Sequence, residues 1–126
     1  MAVKIIRTDR SPAAIGPYSQ GIVSGSMLFV SGQLGLDPKT GELVGSDFSS
    51  QAKQALENLY HIILAGGMDR SDVVAVDVFL TDLSFFKTFN KIYSTFFSDH
   101  LPARAVIEVS ALPKDALIEI KCVAKK

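Results

Sequence analysis

Short apolar runs bounded by turn residues predict strands at residues 3–6, 20–23, 27–31, 72–81, 104–109 and 117–123. The second and third of these are joined by Ser24-Gly25-Ser26, which reads as a hairpin turn. Between residues 47 and 65 the period changes. Ala52, Leu56, Leu59 and Ile63 recur at three- and four-residue steps, so this stretch is a helix, capped by Ser46 or Asp47 and ended by Gly66-Gly67. His61 falls opposite the apolar face, four residues after Glu57, where a solvated position is expected. A second helix runs over about 83–97 with Asp82 or Ser84 as cap. Its aromatic arc is Phe85, Phe86, Phe89, Ile92, Tyr93, Phe96 and Phe97.

The strand over 72–81 places Val74, Val76, Val78 and Leu80 on one face and Asp77 on the other. Strand, helix and strand in succession predict a parallel pair joined by a right-handed crossover. In the strand over 104–109, Arg104, Val106 and Glu108 share a face. In the last strand Leu117, Glu119, Lys121 and Val123 share one face while Ile118, Ile120 and Cys122 make the other. Lys125-Lys126 reads as a frayed basic tail. These elements give an α+β domain spanning residues 1–126.

At 126 residues one core suffices, since a globule of this length removes roughly two thirds of its unfolded surface from water. The chain is 48% hydrophobic with a mean hydropathy of +0.27, a surplus that fits a subunit interface. Thirteen basic residues balance thirteen acidic ones, which disfavours nucleic acid as a partner. The single cysteine, Cys122, excludes an intramolecular disulfide and a cysteine-based metal set. No run approaches the roughly 18 apolar residues of a membrane span, and the first residues lack an apolar leader segment, so a cytoplasmic protein is expected.

Much familiar chemistry is missing. There is no phosphate-binding glycine loop, no G-x-S-x-G elbow, no zinc ligand set and no evident Cys-His couple, so neither metal nor organic cofactor is expected. What stands out is Arg104 at the start of one apolar strand and Glu119 inside another. A charge in such a run is costly unless paired, so the two form a structural ion pair, face solvent, or hold a ligand. Asn90, at the edge of the aromatic arc, needs a partner in the core or in a ligand. Tyr18 sits in a Gly-Pro loop where it packs or closes over a ligand. Ser31-Gly32 ends a strand, either as a tight bend, the reading the sequence favours, or as backbone open to a ligand. Together these residues suit a small anion and a water molecule.

The same residues carry a resemblance along essentially the whole chain. Ala14-Ile15-Gly16-Pro17-Tyr18-Ser19-Gln20, Val30-Ser31-Gly32-Gln33, Asp37-Pro38-Lys39-Thr40-Gly41, Phe89-Asn90, Pro102-Ala103-Arg104, Leu112-Pro113-Lys114-Asp115 and Ile118-Glu119-Ile120 resemble, in order and spacing, the motifs of the RidA (YjgF) family. The resemblance implies a chorismate-mutase-like α+β fold: a mixed six-stranded sheet with two helices on one face, assembled as a homotrimer with clefts between subunits. It also implies that the last strand inserts between earlier strands and forms no tight hairpin across 112–115.

The implied activity is hydrolysis of 2-imino acids to 2-keto acids and ammonia. Arg104 would anchor the substrate carboxylate and Glu119 would hold and deprotonate the attacking water. Tyr18 would cover the pocket, Asn90 and Ser31-Gly32 would line it, and backbone around Val106 would meet the imino nitrogen. Val106 stands where the deaminase members most like this sequence carry cysteine, and Lys121 replaces a residue that is often acidic. The rival readings are a non-catalytic trimer that binds small carboxylates, and a ribonuclease or translation inhibitor.

Overall fold

Six strands and two helices form in the computed structural model, which describes residues 3–126. In chain order they are β1 (Lys4–Ile6), β2 (Gly21–Ser24), β3 (Met27–Leu34), α1 (Phe48–Ala65), β4 (Val73–Leu80), α2 (Phe86–Phe97), β5 (Ala103–Glu108) and β6 (Ile118–Lys125). They make one mixed sheet in the order β1-β2-β3-β6-β4-β5. Only β4 and β5 pair in parallel. The last strand thus lies in the middle, antiparallel to both β3 and β4. Those two run parallel to each other as the strand-helix-strand order predicts, but β6 fills the gap between them. The adjacent parallel pair is β4–β5, connected through α2.

Both helices lie on one face of this sheet. Ala52, Ala55, Leu56, Leu59, Ile62 and Ile63 of α1 and Phe89, Tyr93 and Phe97 of α2 are buried against Leu28, Val30, Val76, Val78, Ile118, Ile120, Cys122 and Ala124 of the strands. Asp47 caps α1 through its side chain, which accepts from the Ser50 N–H at 2.9 Å. Asp82 caps the second helical segment, accepting from Ser84 N–H. That segment opens with a 3-10 turn over Leu83–Phe85, so α2 proper begins at Phe86. Phe85 leaves the helical arc and stacks flat on Phe48, rings 4.5 Å apart, joining the two helix starts.

Several local expectations change. β3 does not end at Ser31 but runs to Leu34, with its register broken between Val30 and Gln33. Irregular pairing between Val73 and Ala75 turns Val74 outward to 44% exposure, and Val73 takes its place in the core. His61 is largely covered, its side chain 13% exposed beside Glu57, 3.2 Å away. The basic tail is held: β6 continues through Lys125, and Lys126 N–H donates to Ser26 O. Among the described residues no helix is long and apolar enough to cross a membrane.

Polar residues of α1 fasten it to the sheet. Buried Asn58 donates to the carbonyls of Leu34 and Leu36 at 3.0 and 2.9 Å, while Gln51 accepts from Leu117 N–H at 2.8 Å just before β6. The approach is close because residue 35 is glycine. A Cβ there would fall 2.4 Å from the Gln51 carbonyl oxygen and 2.6 Å from its Cα, both on helix backbone that cannot step aside. Gly35→Ala is expected to cost about 1–3 kcal/mol, the range for overpacking a well-filled contact. A lowered urea midpoint at unchanged slope would register it, and an unchanged midpoint would refute the contact.

Candidate functional site

Pairing register decides which candidate residues can meet. Arg104 pairs with Val76 and Val106 with Val78, both core-facing valines, so Arg104 and Val106 point to the helix side. Glu119 pairs with Phe79, one step out of phase with buried Val78 and Ile120, and so lies on the opposite face. Within one chain the two charges are therefore not an ion pair.

Glu119 belongs to a cavity of about 370 Å³ that is also lined by Ile15, Tyr18, Ser31, Gly32 and Pro113. The break in β3 builds this wall. Val30 pairs with Cys122 and Gln33 with Ile120, so Ser31 and Gly32 together face the single residue Lys121, as in a β-bulge. The expected bend is present, inside a continuing strand. It brings Gly32 beneath the Glu119 side chain: a Cβ on Gly32 would lie 2.5 Å from Oε2 and 2.8 Å from the carboxyl carbon. Only glycine leaves the carboxylate this resting place. Among the described residues Glu119 has no hydrogen-bond donor and no cation in ion-pair distance. Partial burial raises its carboxyl above the usual value of 4.5, with Lys121 pulling the other way.

The Tyr18 loop is held at both ends and free in the middle. The Gln20 side chain donates to the carbonyls of Thr8 and Pro12 and accepts from Thr8 N–H; Ser11 Oγ donates to Asn58 O at 2.6 Å. Ser31 Oγ donates to Ser19 O at 2.6 Å, so its hydroxyl fixes the loop while its backbone lines the cavity. Tyr18, 48% exposed, stands at the rim. The clamps Ser11, Gln20 and Asn58 escape a reading by residue type, because isolated polar residues in loops and helices look solvated. Ile15 and Pro113 fall in recognisable motif segments, but nothing in their chemistry marks them as lining.

Arg104 and Asn90 line a different cavity, of about 290 Å³, with Tyr93, Ser94, Leu101 and Pro102. Asn90 is not a core residue, and among the described residues its side chain has no hydrogen-bond partner. Val106 packs against the core from the edge strand β5. The candidate residues thus form two half-sites on opposite faces of one sheet: Tyr18, Ser31, Gly32 and Glu119 on one, Asn90, Arg104 and Val106 on the other. Among the described residues no group of three or more His, Cys, Asp or Glu is placed to hold a metal ion.

Two outcomes test the Glu119 geometry. Gly32→Ala, by displacing the carboxylate, is expected to alter any ligand binding at this cavity while the fold is kept, visible as an unchanged far-UV circular dichroism spectrum. The second concerns linkage. Because the folded carboxyl binds its proton more tightly than the unfolded one, stability falls as pH rises from 4.5 through the raised value, and the cost is full above it. Glu119→Gln is expected to melt at a higher temperature than the native chain at pH 7, with the advantage vanishing below pH 4.5. Equal melting temperatures at both pH values would refute the raised carboxyl.

Comparison with known proteins agrees with the motif pattern. Residues 8–126 match the family model described as Endoribonuclease L-PSP. A 2-iminobutanoate/2-iminopropanoate deaminase of Salmonella typhimurium is 49% identical over 124 residues, covering 96% of each chain. A RutC family protein of Pyrococcus horikoshii is 46% identical over 123 residues, 98% of each. The crystal structure of E. coli TdcF with bound serine superposes with a TM-score of 0.94 at 44% identity, covering 98% of both chains. The chain belongs to the endoribonuclease L-PSP family, which is the RidA (YjgF) family that its motifs resemble.

Proposed function

We propose that this protein hydrolyses 2-imino acids, the tautomers of enamines released by pyridoxal-phosphate dehydratases, to 2-keto acids and ammonia. The observation that carries the reading is the Glu119 carboxylate, partly buried in a concave wall, with no partner among the described residues and its carboxyl held above 4.5. Such a group accepts a hydrogen bond from water and takes its proton as the oxygen adds to the imine carbon. The proton passes to nitrogen, and the resulting carbinolamine expels ammonia as the carbonyl forms. One water is consumed and no oxidant is needed. General-base assistance contributes about 100- to 10,000-fold, enough for a bond that already hydrolyses in water.

Arg104 supplies the planar pair of donors that fits the substrate carboxylate. Asn90 lines its side of the site, Ser31-Gly32 the other, and Tyr18 closes from the rim. β5 is an edge strand, so backbone groups near Val106 on its outer side are free to meet the imino nitrogen. Addition of water uses no covalent nucleophile, so valine serves at this position.

The reading requires Arg104 and Glu119 in one site, and one chain holds them on opposite faces of its sheet. A homotrimer with clefts between subunits meets that requirement. Its interface is supported by the uncovered sheet face: Ile5, Ile22, Phe29, Val123, Ala75 and Ala103 register in one apolar row across all six strands. On that face Ile5, Phe29 and Ile107 are each about half exposed (51%, 46% and 49%). So much exposed apolar surface marks a contact site. A second reading, a carboxylate-binding trimer without turnover, is favoured by Val106 and by the serine bound in TdcF. The zero net charge speaks against action on RNA.

Four measurements test these readings. In a threonine dehydratase reaction containing semicarbazide, catalytic amounts of protein are expected to lower the trapped imine, and Arg104→Ala to abolish the effect. Carboxylate binding by calorimetry with no change in trapped imine would establish the non-catalytic reading instead. The rate is expected to rise with pH through a value above 4.5, following ionisation of Glu119. Co-expressed Arg104→Ala and Glu119→Gln chains, each inactive alone, are expected to recover activity in about a quarter of clefts if subunits mix at random. No recovery in verified mixed trimers would refute the shared cleft.

A further inference from the structure

Arg104 carries a full charge, and among the described residues no carboxylate or other acceptor meets its head. What meets it is aromatic. The guanidinium carbon lies 4.8 Å from the centroid of Tyr93, 5.7 Å from Phe86 and 5.8 Å from Phe89. These rings come from positions 86, 89 and 93 of α2, which share one helix face. Phe89 and Tyr93 are themselves packed at 5.4 Å, and Tyr93 and Phe97 at 4.8 Å, so the platform is stiff. The strand that bears Arg104 is also fixed on its approach: His100 Nε2 lies 2.6 Å from the Val73 carbonyl oxygen, tying the α2–β5 connection to the start of β4.

We infer that Tyr93, flanked by Phe86 and Phe89, is a positioning residue that seats the Arg104 guanidinium and aims it at a ligand carboxylate. The chemistry of the seat explains its use. A carboxylate partner would occupy the planar N–H donors in pairs, as a substrate must. A ring face attracts the cation through its quadrupole and leaves those donors in the plane free. The hydroxyl of Tyr93 plays no part in this, being buried without a hydrogen-bond partner among the described residues. Burial also raises it to about 12, so it stays neutral. The seat therefore works through the ring.

The inference rests on Arg104 as the carboxylate anchor, and the test separates the two. The probe is 2-oxobutanoate, titrated by calorimetry into the native protein, Arg104→Ala, Tyr93→Leu, Tyr93→Phe and Phe86→Leu, with kcat and KM followed in the dehydratase assay. Tyr93→Leu is expected to weaken binding and raise KM about tenfold with a smaller fall in kcat. Tyr93→Phe, which keeps the ring, is expected to restore most of that loss. Should Tyr93→Leu fail to fold, Phe86→Leu decides, because Phe86 is 39% exposed and its truncation opens no core cavity; about a threefold loss is expected. Arg104→Ala losing affinity while the folded ring variants keep it would overturn the seat alone. Tyr93→Phe losing as much as Tyr93→Leu would do so too, by assigning the effect to the hydroxyl. Native affinity in Arg104→Ala would overturn the anchor and the seat together.

Discussion

The insertion of β6 between β3 and β4 is the constraint on which the rest of this molecule depends. It sets Ile118, Ile120, Cys122 and Ala124 under both helices, completing the core. The same strand, by alternation, must send Glu119, Lys121 and Val123 to the other face. Its pairing with β3 tolerates one irregularity, at Ser31-Gly32, and that irregularity lies where the Glu119 side chain rests on Gly32. Core and candidate site are thus two sides of one strand. A slip of one residue would bury Glu119 and Lys121 and expose the isoleucines, so the burial that holds the fold also holds the register of the site.

The same topology explains why the candidate residues fall into two clusters. With β6 in the centre, β5 is left at the edge, joined only to β4. Arg104 therefore lies where the core-facing row runs out, against the aromatic rings of α2. Glu119 faces the uncovered side three strands from the other edge. No rotamer change brings groups on opposite faces of a sheet together. On the proposed reading, two half-sites and an apolar sheet face left without a second layer are features of one requirement, which self-association would satisfy.

How much of this was legible depends on the range of the interaction. Local periodicity identifies Val76, Val78 and Leu80, and the α1 stripe of Ala52, Leu56, Leu59 and Ile63, because helix and strand each impose their own period on a buried face. It fails at Val74 and at Ser31-Gly32, where irregular pairing breaks the two-residue repeat. The central place of β6 leaves no local trace, since pairing across some 90 residues of intervening chain is a property of the whole sheet; only the family motifs imply it. Alternation groups Arg104 with Val106 and Glu119 with Lys121 correctly, yet cannot say which group faces the helices. That information resides in the strand order. Asn58 and Gln51 look like ordinary polar helix residues because their partners are carbonyl and N–H groups of distant backbone, which no side-chain pattern reports.

The two charges are also alike in having no opposite charge beside them among the described residues. Glu119 is partly desolvated without a cation, and Arg104 is placed on rings without an anion. Lys121 lies two residues from Glu119 and Glu108 four from Arg104, each on the same strand face as its neighbour, yet among the described residues neither pair forms, and Glu108 accepts from Leu83 N–H instead. The cost of partial desolvation falls on Glu119, whereas Arg104 is exposed and keeps its donors in water. On the proposed reading, the free donors of Arg104 and the free carboxylate of Glu119 would meet on a single small molecule bearing a carboxylate at one end and a centre open to attack by water at the other.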